Sequence, residues 1–119
     1  MNVLFIVLND LAYLDEILEE FVALKVRGAT IIESEGMAAA ILKRDGLGGL
    51  LGGGLFKVET KDIQQNSKTI FTVIPDEETL EKAVNSVRKI VERSRQKTVG
   101  FMFTVPVSGI YPLSPKKPK

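Results

Sequence analysis

Cysteine and histidine are both absent from the 119 residues. Without cysteine the chain has no disulfide framework and no thiolate chemistry. Without histidine it lacks the commonest metal ligand and the usual base at neutral pH, so a metal would need a site built of oxygen atoms. The serines and threonines have no evident partner base. We therefore predict no metal site and no catalytic residue.

An excess of charge and a long apolar run are missing as well. Sixteen basic and fifteen acidic residues give a net charge of +1. This balance predicts no nucleic-acid partner, which a basic excess or stripe would indicate. No apolar run reaches the roughly 18 residues of a transmembrane helix, and residues 1–11 lack the basic region and cleavage site of a signal peptide. We expect a cytoplasmic protein of one domain.

Hydrophobic periodicity predicts four strands and two helices. Short runs rich in branched and aromatic residues predict strands at 2–8, 29–36, 68–74 and 98–107. Apolar residues at helical spacing predict a helix from Leu14 to about Arg27 and another from about Glu77 to Arg93. Gly28 suits a left-handed cap after the first helix, and Asp76 suits the start of the second.

The order β-α-β-β-α-β predicts an α+β domain of the ferredoxin-like kind. In that fold four strands form an antiparallel sheet and two helices lie on one face of it. The domain is predicted to span residues 1–112, with a long insertion at 37–67 between the second and third strands. Residues 113–119, rich in proline and lysine, are predicted to be a disordered tail.

The strands are apolar on both faces, although the helices are expected to cover only one. Residues 3–8 are continuously apolar, and Phe101 and Phe103 lie on the opposite face from Met102. A sheet covered on one side would instead alternate apolar and polar residues. The second face therefore needs a cover. Self-association with another copy of the chain is the favoured cover, and the insertion folding back is the alternative.

The insertion contains an unusual glycine-rich and apolar stretch, KRDGLGGLLGGGLFK, at residues 43–57. It fits no phosphate-loop motif and precedes no obvious helix, which disfavours a phosphate cradle. Glycine also makes ordering costly, so a mobile loop is a second interpretation. The favoured interpretation is a docking loop, because its apolar side chains are flanked by basic ones suited to an acidic rim or anionic lipid. The docking residues would be Lys43, Arg44, Leu47, Leu50, Leu51, Leu55 and Phe56.

Three stretches resemble the PII nitrogen-regulatory signalling proteins. LDEILEEFVALKVRGATIIESEG (residues 14–36) is similar to the first helix and second strand of that family, with Thr30, Glu33 and Gly36 at the family's intervals. KTIFTVIPDEETLEKAVNSVRKIV (residues 68–91) is similar to the third strand and second helix, and FMFTV to the last core strand.

The resemblance implies a homotrimer whose sheets face inward and which is not an enzyme. It implies an adenine nucleotide (ATP, ADP or AMP) bound in the clefts between subunits. The insertion would then be the loop that docks on a target, such as an enzyme or a membrane transporter. Carried over to this sequence, the effector contacts are Thr30, Gly36, Met37 and Lys97.

The sequence also departs from the PII pattern. Residues 38–40 are alanines where the family has Gly-x-Gln, and the insertion has no tyrosine to be uridylylated. The glycine-rich phosphate loop after the second helix is missing, and the family's two arginines align with Val107 and Ile110. Lys97 is then the remaining basic contact for a phosphate. A cyclic-dinucleotide receptor of PII-like fold, suggested by TVPVSG, and a small ferredoxin-like enzyme stay open as alternatives.

Overall fold

The computed structural model describes residues 1–37, 40 and 67–116. The predicted docking residues, from Lys43 to Phe56, lie outside the described residues. The described chain forms four strands and two α-helices, in the order β1 (Asn2–Leu8), α1 (Leu14–Ala23), β2 (Thr30–Ser34), β3 (Ser67–Ile74), α2 (Glu77–Val91) and β4 (Gly100–Pro106). A 3-10 turn at Leu11–Tyr13 leads into α1. Residues 107–116 form neither helix nor strand, and the predicted disorder of the tail stays a prediction.

The four strands form one antiparallel sheet in the order β2-β3-β1-β4. Because β3 lies between β1 and β2, those two strands run parallel and are connected through α1. In the same way β1 separates β3 from β4, which are connected through α2. The sheet therefore consists of two interleaved split β-α-β units, and the predicted α+β, ferredoxin-like arrangement is confirmed.

One face of the sheet carries the core. Alternate residues of β1 and β3 point towards both helices, which explains why the helices share one side. The buried apolar residues, all at most 9% exposed, are Leu4, Ile6, Leu8, Ile17, Phe21, Ile70, Ile74, Leu80, Ala83 and Val87. Thr72 lies on the same face with 3% of its surface exposed, and its hydroxyl donates to the Gly28 carbonyl just before β2. The buried hydroxyl is thereby satisfied.

The first helix ends earlier than the sequence predicted. It stops at Ala23 rather than near Arg27, and Lys25 adopts the left-handed conformation with φ 62°. The Lys25 amide donates to the Val22 carbonyl at 3.0 Å, and the Val26 amide donates to the Phe21 carbonyl at 2.9 Å. This is the Schellman pattern of a helix C-terminus. Lys25, not Gly28, therefore occupies the left-handed position.

The start of the second helix agrees with the sequence prediction. Asp76 is the N-cap of α2, and its carboxylate accepts from the Thr79 amide at 2.8 Å and the Thr79 hydroxyl at 2.7 Å. These hydrogen bonds, the hydroxyl first, favour the ionised carboxylate and lower the pKa of Asp76 below its usual value of 3.8. Glu77 and Glu78 in the first turn suit the positive end of the helix dipole.

Gly100 begins β4 with a backbone that other residues rarely adopt. Its φ is 151°, and a Cβ atom placed there would overlap the carbonyl oxygen of Val7 on the neighbouring strand. Glycine thus permits β4 to approach β1 closely at its first residue.

Candidate functional site

The sheet face away from the helices is the most unusual surface of the described chain; we call it the open face. Strand register places alternate residues of all four strands on it. They are Val3, Phe5, Val7, Thr30, Ile32, Ser34, Ser67, Thr69, Phe71, Val73, Phe101, Phe103 and Val105. None of these residues carries a charge. A solvated sheet face normally carries polar and charged side chains, so this composition indicates a surface with a partner.

A row of phenylalanines crosses the open face at its centre. Phe5 on β1 lies between its register partners Phe71 on β3 and Phe103 on β4. Its ring centroid is 4.8 Å from that of Phe103, with the two planes 8° apart, and 5.6 Å from that of Phe71. Phe101 continues the aromatic surface, 6.1 Å from Phe103. Such ring contacts stabilise the arrangement and make the centre of the open face aromatic.

The exposed fractions of several apolar side chains show that the described residues leave this face partly uncovered. Phe101 is 59% exposed, Phe103 44% and Ile32 48%. Val73 and Val105 are exposed to about the same degree as Phe103. Together these side chains present an apolar area of roughly several hundred Å², which is the size of the patches that mark interaction surfaces.

Three hydroxyl groups form a polar corner at one end of the open face. The Ser34 and Ser67 hydroxyls lie 2.8 Å apart, and the Ser67 hydroxyl also donates to the Ser34 carbonyl at 2.9 Å. The Thr69 hydroxyl donates to that of Ser34 at 3.0 Å. This cluster joins β2 to β3 at the positions that flank residues 35–66. No motif in the sequence predicted this cluster, for which the available signal was a serine at each end of the long insertion.

The predicted effector residues lie on both edges of the sheet. Gly36 and Met37 follow the end of β2, and Met37 is 74% exposed. Lys97 lies in the connection before β4, at the same end of the sheet but on the opposite edge. Three strand spacings separate the two edges, or about 14 Å. One protomer therefore does not bring Lys97 together with Gly36 and Met37.

Thr30, the fourth predicted effector residue, is also apart from the others. It begins β2 and pairs with Phe71, so it lies on the open face several residues from Gly36. Its side chain is exposed. The structure thus places it beside the apolar surface rather than beside Lys97.

A pocket of about 230 Å³ opens between β4 and the end of α2. Its lining is mainly apolar, with residues such as Leu8, Val91 and Met102, and Arg88 is the one charged side chain among its lining residues. This volume is somewhat smaller than that of most ligand pockets, which begin near 300 Å³. It lies along β4, which is an edge strand of the sheet.

The outer surface of the helices carries a second depression of about 470 Å³, which two polar contacts cross. Arg93 forms an ion pair with Glu16, and the Ser86 hydroxyl donates to the Glu20 carboxylate at 3.1 Å. The hydrogen bond to Glu16 raises the pKa of Arg93 above its usual value. Arg93 also lies over the Tyr13 ring, 5.4 Å from its centroid. These contacts link α1 to α2, so Arg93 has a structural role on this surface.

Among the described residues no cluster of acidic side chains is suited to hold a metal ion, and none of the helices has the length and apolarity needed to cross a bilayer. No protein-family model matches the chain, and no curated protein matches it. The functional interpretation therefore depends on the open face, the sheet edges and the residue patterns of the sequence.

Proposed function

We propose that the chain is a PII-like regulatory protein, a homotrimer that senses a small effector between subunits and controls a partner through residues 37–67. The observation that carries the proposal is the uncharged open face with its stacked phenylalanines. In a monomer the described residues would leave much of this face exposed to water. In a ring of three copies, each face would be buried against the other two, and no separate partner would be needed.

The placement of the effector residues agrees with a site shared between copies. Within one protomer the β4 edge, which Lys97 precedes, and the β2 edge, which Gly36 and Met37 follow, are three strand spacings or about 14 Å apart, so the two sets do not lie side by side. If the β2 edge of one copy lies beside the β4 edge of the next, the two sets face each other across a cleft. An adenine nucleotide would then contact Gly36 and Met37 on one side and Lys97 on the other.

The partner would be reached through the insertion. Residues 35–66 leave the sheet at Ser34 and return at Ser67, beside the hydroxyl corner and at the same end as Gly36, Met37 and Lys97. A ligand bound at that end would act directly on the base of the insertion. Its leucines and Phe56 would supply apolar contacts to a target protein, for which a membrane transporter is one candidate.

The first test measures mass and ligand binding together. Light scattering should give the mass of three chains, and calorimetric titration should show binding of ATP, ADP, AMP or cyclic di-AMP by the assembly. A monomeric wild-type protein would overturn the proposal. A trimer that binds none of the four ligands would contradict nucleotide sensing, and the proposal would then consist of trimer assembly and partner docking.

Two variants locate the ligand within the assembly. Lys97→Gln should weaken binding of a nucleotide because it removes the basic contact to phosphate. Lys89→Gln, on α2 outside the proposed site, is the matched control and should bind as the wild type does. Equal affinities for the two variants would contradict the assignment of Lys97.

A further inference from the structure

Charge is distributed unevenly along the chain. All fifteen acidic residues lie at or before Glu92, although the net charge of the whole sequence is only +1. Residues 93–119 contain no acidic residue and six basic ones, namely Arg93, Arg95, Lys97, Lys116, Lys117 and Lys119. Such an asymmetry indicates an anionic partner for the basic part.

The segment that follows β4 combines this charge with exposed apolar side chains. We call residues 107–116 the arm. Leu113 is 98% exposed, Tyr111 85% and Ile110 52%. Apolar side chains exposed to this degree, three within four positions, are unusual for a segment with no partner.

The arm has little contact with the domain that carries it. Among the described residues, the Val107 amide donates the arm's one hydrogen bond to the rest of the chain, to the Met1 carbonyl at 3.1 Å. The Tyr111 ring lies against Gly109, within the arm itself. Pro112 and Pro115 lack the amide hydrogen that a helix or an inner strand would require. The arm therefore presents its side chains outward without becoming part of the sheet.

We propose that the arm, together with Lys117 and Lys119, which follow it in the sequence and lie outside the described residues, binds the surface of an anionic phospholipid membrane. The lysines at 116, 117 and 119 would lie among acidic headgroups, and Tyr111, Leu113 and Ile110 would enter the boundary between headgroups and acyl chains. This combination of aromatic, aliphatic and basic residues suits an interface that is anionic outside and apolar beneath. A nucleic acid would use the lysines but would leave Leu113 and Ile110 in water.

The expected affinity of one arm for an anionic membrane is modest. Each lysine near an anionic surface contributes about a fivefold increase in affinity, so the three together contribute about a hundredfold. The apolar side chains add to this only when they are inserted into the interface. Binding by one arm should thus be reversible and sensitive to salt.

The test is cosedimentation of the full chain with vesicles. We expect binding to vesicles of phosphatidylserine and phosphatidylcholine, loss of binding at high salt, and no binding to phosphatidylcholine alone. Replacing Lys116, Lys117 and Lys119 with glutamine should lower the affinity by about a hundredfold. The matched control replaces Arg27, Lys82 and Lys89 with glutamine, which removes the same charge from the body of the domain and should have little effect.

A second pair of variants tests the apolar side chains. Tyr111→Ser combined with Leu113→Ser should lower vesicle affinity by about tenfold, whereas Val22→Ser, at a residue 75% exposed on α1, should not. The mass in solution should be the same for all variants. The arm would instead be an assembly contact if its variants changed that mass, and this result would overturn the proposal.

Two further results would also overturn the lipid assignment. The first is that wild-type protein binds neutral and anionic vesicles equally, or binds neither. The second is that duplex DNA at the same phosphate concentration binds as tightly as the vesicles and is unaffected by the Tyr111 and Leu113 changes. That result would show that the segment binds any polyanion through its positive charge and does not recognise a membrane surface.

Discussion

Replacing Phe103 with aspartate should dissociate the proposed assembly without unfolding the protomer. Phe103 is 44% exposed and is stacked on Phe5. A phenylalanine of about 200 Å² exposed to this extent leaves about 90 Å² to be buried on assembly, worth about 2 kcal/mol per protomer. Burying an unpaired carboxylate there would add a penalty of several kcal/mol. The loss of burial alone corresponds to a contact weaker by about thirtyfold.

Light scattering over a wide range of protein concentration measures this effect. Thr104→Asp is the matched control, because Thr104 is the next residue of β4, is also exposed, and points to the other face of the sheet. We expect Phe103→Asp to be a folded monomer by circular dichroism and Thr104→Asp to keep the wild-type mass. Retention of the wild-type mass by Phe103→Asp would contradict assembly through the open face. Loss of the wild-type mass in both variants would contradict it as well, since the strand and not the open face would then be responsible.

Two more predictions concern the protomer. Gly100→Ala should lower the free energy of unfolding by about 2 kcal/mol or more, because its Cβ would overlap the Val7 carbonyl at a strained φ. The control is Gly28→Ala, where no atom lies within 4 Å of the added carbon, and its urea unfolding should change little. Asp76→Ala should lower the urea midpoint at neutral pH. Because the pKa of Asp76 is depressed in the folded protein, the stabilisation by its carboxylate is complete above its usual pKa of 3.8. This stabilisation is lost as the pH falls through the lower pKa of the folded state. The gap between wild type and Asp76→Ala should therefore narrow in acid, and a gap independent of pH would contradict the capping role.

The fold could be predicted from the sequence because its local signals agree with one another. The continuous apolar run of β1 and the helical spacing of Leu80, Ala83 and Val87 each identify one element. The same run in β1 also predicted the open face. A sheet covered on one face only does not require apolar residues such as Val3 and Phe5 on either side of Leu4. The predicted end of α1 was wrong because Lys25 adopts a left-handed conformation that a glycine would normally take.

The candidate site could be predicted only in part. The row formed by Phe5, Phe71 and Phe103 requires the register of three strands, which no local pattern specifies. The hydroxyl corner at Ser34 and Ser67 likewise depends on pairing across the insertion. The effector residues were assigned through a family resemblance. Their placement at one site between two copies of the chain stays a prediction.

The central position of β1 has a consequence for how the chain reaches its structure. β1 is the first strand along the sequence, yet both of its edges pair with strands that come much later, β3 and β4. Contacts so distant in sequence form slowly, because a long loop must close before they contribute. Until then a strand with apolar side chains on both sides is without neighbours. The strand at the centre of the finished sheet is thus open to mispairing during synthesis and refolding.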